Sequence, residues 1–106
     1  PVIDAENIGE IERHNLTDEV FVLQSGRAVL FTINNGDIQA VDMQAGVLYN
    51  VTAASWHNLI ATRDASWVIV EKRDTHLHDC EYRQLNAEEL LTLKGLLPDW
   101  LRPKPK

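Results

Sequence analysis

Glu12 and His14 stand two residues apart, so on an extended strand both side chains leave from the same face. Glu19 follows, opening the apolar run Val20-Phe21-Val22-Leu23, and His57 opens a later run that ends at Ala61. On neighbouring strands these residues would bring two imidazoles and one or two carboxylates to one point. Imidazole and carboxylate together suit iron(II), manganese, nickel or zinc. Glu12 has three roles open to it: a further ligand, a catalytic base beside the ion, or a solvated acid on the strand face. Each of the others has a structural reading as well. His14 can hydrogen-bond in a polar barrel mouth, Glu19 can be an exposed strand-end acid, and His57 can be a satisfied, partly buried histidine.

A second set competes. His76, His78 and Cys80 alternate, and an extended segment would turn all three the same way as candidate zinc donors. Structural zinc takes four ligands, however, and a rim strand leading into the next element explains the pattern more simply. Cys80 as a nucleophile would need a base and an orienting group, which the sequence does not place.

The elements that must carry these residues are short strands. Val20 to Leu23 is stopped by Ser25-Gly26, and Arg27 to Ile33 follows. Asn34-Asn35-Gly36 tolerates positive φ and predicts a tight hairpin into Asp37 to Asp42. Gly46 precedes a strand from Val47 to Val51; His57 to Ala61 and Trp67 to Val70 complete the set. Such spacing predicts an antiparallel sandwich or barrel. One helix closes the chain, with Asn86 as N-cap, Glu89 as its capping-box partner, Leu90, Leu91 and Leu93 as the apolar side, and Gly95 at the stop before Pro98. Phe21, Phe31 and Trp67 are core or interface candidates, and Trp100 a clamp on the C-terminal segment. Val20 to Leu23 and Trp67 to Val70 are apolar on both faces. The helix is expected to cover one of them and a second copy, in a two-fold homodimer, the other.

At the candidate ligands the chain resembles the cupin superfamily. That family's first motif has His-x-His, three or four residues, Glu, six residues and Gly; here it reads Glu12-Arg13-His14, four residues, Glu19, six residues, Gly26. The second has Gly, five residues, Pro-x-Gly, two residues, His, three residues, Asn; here it reads Gly46, five residues, Thr52-Ala53-Ala54, two residues, His57, three residues, Ala61. The resemblance runs from about Glu12 to Ala61. Glu12 replaces a histidine, Thr52 and Ala54 replace the proline and glycine, and Ala61 replaces the asparagine. It implies an all-β fold: a cupin-type double-stranded β-barrel, or jelly roll, with one C-terminal α-helix. It also implies a divalent metal (Fe, Mn, Ni or Zn) on His14, Glu19, His57 and, with the altered motif, Glu12. An isomerase, epimerase or dioxygenase acting on a small polar metabolite would fit, with Tyr49 and Trp56 beside the second motif as ligand-binding candidates. The rival expectation is a non-catalytic cupin that binds a sugar or other small ligand.

Composition narrows the setting. The chain has 106 residues, 44% of them hydrophobic, and a formal net charge of −6. One domain over residues 1–102 with a flexible tail at 103–106 is expected. The acidic balance disfavours nucleic acid and anionic membranes, and no apolar run is long enough to span a bilayer. No basic start leads into an apolar stretch, so no secretory leader is expected. Cys80 is the single cysteine, which excludes an internal disulfide and predicts a reducing, cytoplasmic setting.

Overall fold

The computed structural model describes residues 9–71 and 80–101. His76, His78 and the 103–106 tail lie outside that range, so the rival zinc set is represented in it by Cys80 alone. The strands are β1 (Glu10–His14), β2 (Glu19–Ser25), β3 (Ala28–Asn34), β4 (Asp37–Asp42), β5 (Leu48–Val51), β6 (Trp56–Ala61), β7 (Ser66–Glu71) and β8 (Cys80–Gln84). Helix α1 (Ala87–Leu96) and a 3-10 turn (Asp99–Leu101) follow. The hairpin between β3 and β4 turns at Asn35 and Gly36, both at positive φ as anticipated.

All strand pairs are antiparallel. They form a five-stranded sheet in the order β4-β3-β6-β1-β8 and a three-stranded sheet in the order β5-β2-β7. The two-residue period sorts each strand's side chains between two cores. Between the sheets lie Phe21, Leu23, Ala28, Leu30, Val51 and Ala61, with Met43. On the outer side of the larger sheet Ile11, Val29, Phe31, Ile33 and Ile60 meet Leu93, Leu97 and Leu101. β3 therefore feeds both cores, which is why it is apolar on both faces. Each of these large side chains contributes about 1.5–3 kcal/mol when fully buried.

The helix is capped as the sequence predicts. Asn86 accepts from the Glu89 amide, and Glu89 accepts from the Asn86 amide. Its end differs: α1 runs through Gly95 to Leu96 and stops at Leu97, which is extended (φ −75°, ψ 145°) ahead of Pro98. The ring of Pro98 disfavours a helical residue before it, so proline rather than glycine sets the stop. Trp100 does pack as a clamp, against the helix-side core, with Arg27 stacked on its ring and Asp42 accepting from its indole N–H.

The expected covering also differs. β2 and β7 pair side by side in the smaller sheet, whereas α1 lies on the larger one. The helix thus covers neither of the double-faced strands. On their outer face Leu48, Val68 and Val70 are exposed, with Val20 and Val22 half-buried between them. Among the described residues no helix is long and apolar enough to cross a membrane.

The turn before β6 carries backbone strain. Ala54, a non-glycine residue, has φ 65°. An L-residue there loses about 1–2 kcal/mol to contact between Cβ and carbonyl. Ala54→Gly should raise stability by about 1 kcal/mol after glycine's larger unfolded-state entropy, or roughly 4 °C in Tm. A thermal melt at or below wild type would show that the turn relaxes the strain another way.

Candidate metal centre

β1 and β6 are neighbours, with Glu12 directly opposite His57, while Glu19 opens β2 in the facing sheet. The turn between β5 and β6 is tied to these strands. The Ala54 amide donates to the His14 carbonyl (2.6 Å), and the Ala53 amide and Asn50 side chain donate to the two oxygens of Asp18 (2.8 and 3.2 Å). His57 is thereby delivered beside Glu19 from the other sheet. The spacing of two in Glu12-Arg13-His14 does the rest: Glu12 and His14 face the smaller sheet. Arg13 faces outward and stacks 4.5 Å over Trp56.

One donor atom each from Glu12, His14, Glu19 and His57 falls within 4.8 Å of all the others. The two oxygens of Glu19 reach separate imidazoles, Oε1 at 2.9 Å from His57 Nε2 and Oε2 at 3.2 Å from His14 Nε2. Glu12 Oε1 lies 3.6 Å from His57 Nε2 and 4.0 Å from His14 Nε2. His14, Glu19 and His57 are buried; Glu12 is partly open to solvent.

The outer ring nitrogens are held as well. His57 Nδ1 is 3.0 Å from the Ser55 carbonyl, to which it can only donate, so in the neutral ring the Nε2 lone pair faces the cluster. His14 Nδ1 contacts the Cys80 thiol at 3.3 Å, and Cys80 lies opposite His14 in the β1–β8 pairing. His14 Nε2 is buried without a hydrogen bond, its 3.2 Å approach to Glu19 being misaligned for one. Leaving such an atom unsatisfied costs about 1–3 kcal/mol. A cation among these donors would remove that cost. Metal–ligand bonds of about 2.1 Å place neighbouring donors roughly 3 Å and opposite donors roughly 4 Å apart; here the contacting pairs lie 2.9–4.0 Å apart and the whole set within 4.8 Å. The residues therefore fit a divalent ion.

Without an ion the cluster behaves as a proton-sharing network. Burial opposes charge on His57, but Glu12, Glu19 and the Ser55 carbonyl overcome it and push the imidazole up to about 9. Of the two carboxylates, Glu19 is in hydrogen-bonding range and Glu12 stands off as a longer ion pair. Burial also opposes charge on Glu19; hydrogen bonds from His57 and Glu71 outweigh it and hold that carboxyl below its usual value. Glu71 shares a proton with Glu19 and, helped by burial, is raised to about 7. No protein-family model matches the chain. No curated protein is significantly similar to it either. The site's own geometry carries the assignment.

The structure gathers all four residues anticipated as ligands. It does not bring Tyr49 and Trp56 to them. Trp56 precedes His57 on β6 and so points to the opposite face, between the guanidinium groups of Arg13 and Arg83. Tyr49 lines a separate cleft of about 340 Å³ between β3, β4 and β5, and its hydroxyl accepts from the Gln44 amide. Cys80 is not poised as a nucleophile: burial, ahead of the nearby carboxylates, raises its thiol above the ordinary value despite a hydrogen bond with Tyr82.

Two participants were not anticipated from sequence. Glu71 sits across from Glu19 in the β2–β7 register, with Oε2 3.9 Å from His14 Nε2. Its alternation with Trp67 and Ile69 was a usable signal once β7 is known to pair with β2. Ser55 acts through its carbonyl, which no residue type encodes.

Proposed function

We propose that this chain is a small cupin-type protein whose two sheets close into a jelly-roll barrel around one divalent ion. Glu12, His14, Glu19 and His57 hold the ion, and the protein acts as an isomerase, epimerase or dioxygenase on a small metabolite. The carrying observation is the buried His14 Nε2, which has no hydrogen bond and points to where three other donor atoms converge. When bound, the ion supplies a Lewis acid able to polarise a carbonyl or engage dioxygen. The protein's part is to set Glu19 opposite both imidazoles as a fellow ligand, to fix the His57 tautomer through Ser55, and to steady His14 through Cys80. Glu12, the most open of the four, stands where it can ligate or take a proton from a substrate. A reducing cytoplasmic setting suits this arrangement, because Cys80 must remain a thiol to serve His14.

The test is elemental analysis of tag-free protein. Near one metal per chain in wild type is expected, falling below roughly a tenth in His14→Ala and His57→Ala, since loss of even an outer partner costs about 10–100-fold in affinity. Equal content in both variants would remove the site.

The His57–Glu19 hydrogen bond favours a second reading, in which the charged pair is self-sufficient and the barrel binds a small ligand without metal or catalysis. In that case ligand-induced thermal stabilisation survives chelation.

A further inference from the structure

We infer that the molecule bound at this centre is uncharged and mainly apolar, presenting one oxygen-donor end to the metal, rather than a carboxylate or phosphate ester. The inference rests on the metal-binding reading and narrows it. It replaces the compact polar metabolite that the ligand set alone suggests.

The first observation is the wall. A cavity of about 210 Å³ opens beside Glu12 and His57, between β6 and β7. Its other sides include Phe21, Leu59, Trp67 and Ile69, an aromatic and aliphatic surface. Phe21 packs edge-on against the His57 ring at 5.7 Å, so the apolar wall reaches the donor set there, with Asn58 the other polar residue in the lining beside Glu12 and His57. The volume is below the 300–1,000 Å³ usual for drug-sized ligands, which points to roughly one ring or a short branched chain.

The second observation is charge. Glu12 and Glu19 together cancel the charge of a divalent ion, and Glu71 adds a further carboxyl beside Glu19. An anionic group entering here gains no net attraction and meets acids. Sites that select carboxylates or phosphates supply paired guanidinium donors. Among the described residues, the guanidinium groups of Arg13, Arg27 and Arg83 are stacked on Trp56 and Trp100 at the helix side of the larger sheet, and Arg63 is exposed and does not line the cavity. The unpartnered, buried His14 Nε2 supports the ion on which this inference rests.

The probes are benzohydroxamic acid, neutral in solution, and 4-carboxybenzohydroxamic acid, which has the same donor end and an anionic body. Cobalt(II)-loaded protein is titrated with each while its visible absorption is followed, and cobalt content is measured separately. The neutral probe is expected to bind at least roughly tenfold more tightly, the factor that one unfavourable charge contact of about 1.4 kcal/mol produces. Ile69→Arg, at a half-exposed position on the cavity wall, should narrow or reverse that ratio with cobalt content unchanged. Equal or tighter binding of the carboxylated probe to loaded wild type overturns the inference, as does failure of the neutral probe to bind. A ratio unmoved in loaded Ile69→Arg overturns the placement of the ligand body in this cavity. Protein that takes up no cobalt overturns the metal reading beneath, and this inference with it.

Discussion

Glu19→Gln in metal-free protein is expected to lower the melting temperature by roughly 12 °C at pH 7, the equivalent of about 3 kcal/mol. Glu19 bridges His14 and His57 from the facing sheet, at 3.2 and 2.9 Å, with its side chain 4% exposed. Glutamine preserves shape and one acceptor but removes the charge that answers a buried imidazolium. The pH dependence should change with it. His57 is raised to about 9, above its unfolded value near 6.5. Its contribution is therefore complete below about 6.5 and is lost as pH climbs through 9. Glu71, raised to about 7, acts in the same direction at lower pH, its contribution fading between about 4.5 and 7. Glu19, held low, contributes above about 4.5 and is lost on acidification. Chelated wild type should thus become less stable from about pH 6.5 to 9, and Glu19→Gln should flatten that fall. In metal-loaded wild type the ion takes the place of the protons, so affinity and stability should rise over the same interval. Denaturant titrations across pH decide it. A variant that keeps the wild-type slope would show that Glu19 is not the partner of a charged His57.

Local pattern carried the strands and the donors, and long-range pairing carried what local pattern missed. Glycines and Asn-Gly punctuate the apolar runs, so the elements from β2 to β7 could be drawn with ends shifted by one or two residues. Glu12 and His14 were legible because a spacing of two has only one meaning on a strand. The same period should have kept Trp56 from the candidate pocket, since neighbours on a strand cannot share a face. Glu71 and the covering of β2 were not legible in that way. Both depend on β7 pairing with β2 across the forty residues between them, and no short window contains that information. The strand that the helix covers was not legible for the same reason. The helix's apolar side fits any apolar sheet face, and only the topology places it over Ile11, Phe31 and Ile60.

Gly26→Val should destabilise the protein by roughly 4 kcal/mol or more, enough to leave much of it unfolded at ordinary temperature. Gly26 has φ 76°, and a Cβ there would lie 2.6 Å from Ala65 Cα and 2.8 Å from the Ala65 amide nitrogen. Both are backbone atoms and cannot swing aside. A β-branched residue at positive φ adds about 1–3 kcal/mol of strain of its own. The corner is also tied: the Arg27 amide donates to Thr62 Oγ1 (3.0 Å) and the Thr62 amide to the Arg27 carbonyl (2.9 Å). Here the chain passes between the two sheets twice, from β2 to β3 and from β6 to β7, so pushing the loops apart loosens both crossings. Gly46→Ala is the control, because Gly46 has nearly the same φ, 81°, with nothing within 4 Å of its added Cβ. It should cost only about 1–2 kcal/mol, the left-handed penalty alone. Equal losses in the two variants would mean that backbone conformation, not the approach of Ala65, dictates glycine at position 26. The corner lies at the end of β2 opposite Glu19, so whatever fraction of Gly26→Val does fold should still bind metal at the wild-type ratio. Loss of metal in that folded fraction would show that the sheet spacing set at this corner reaches the donors.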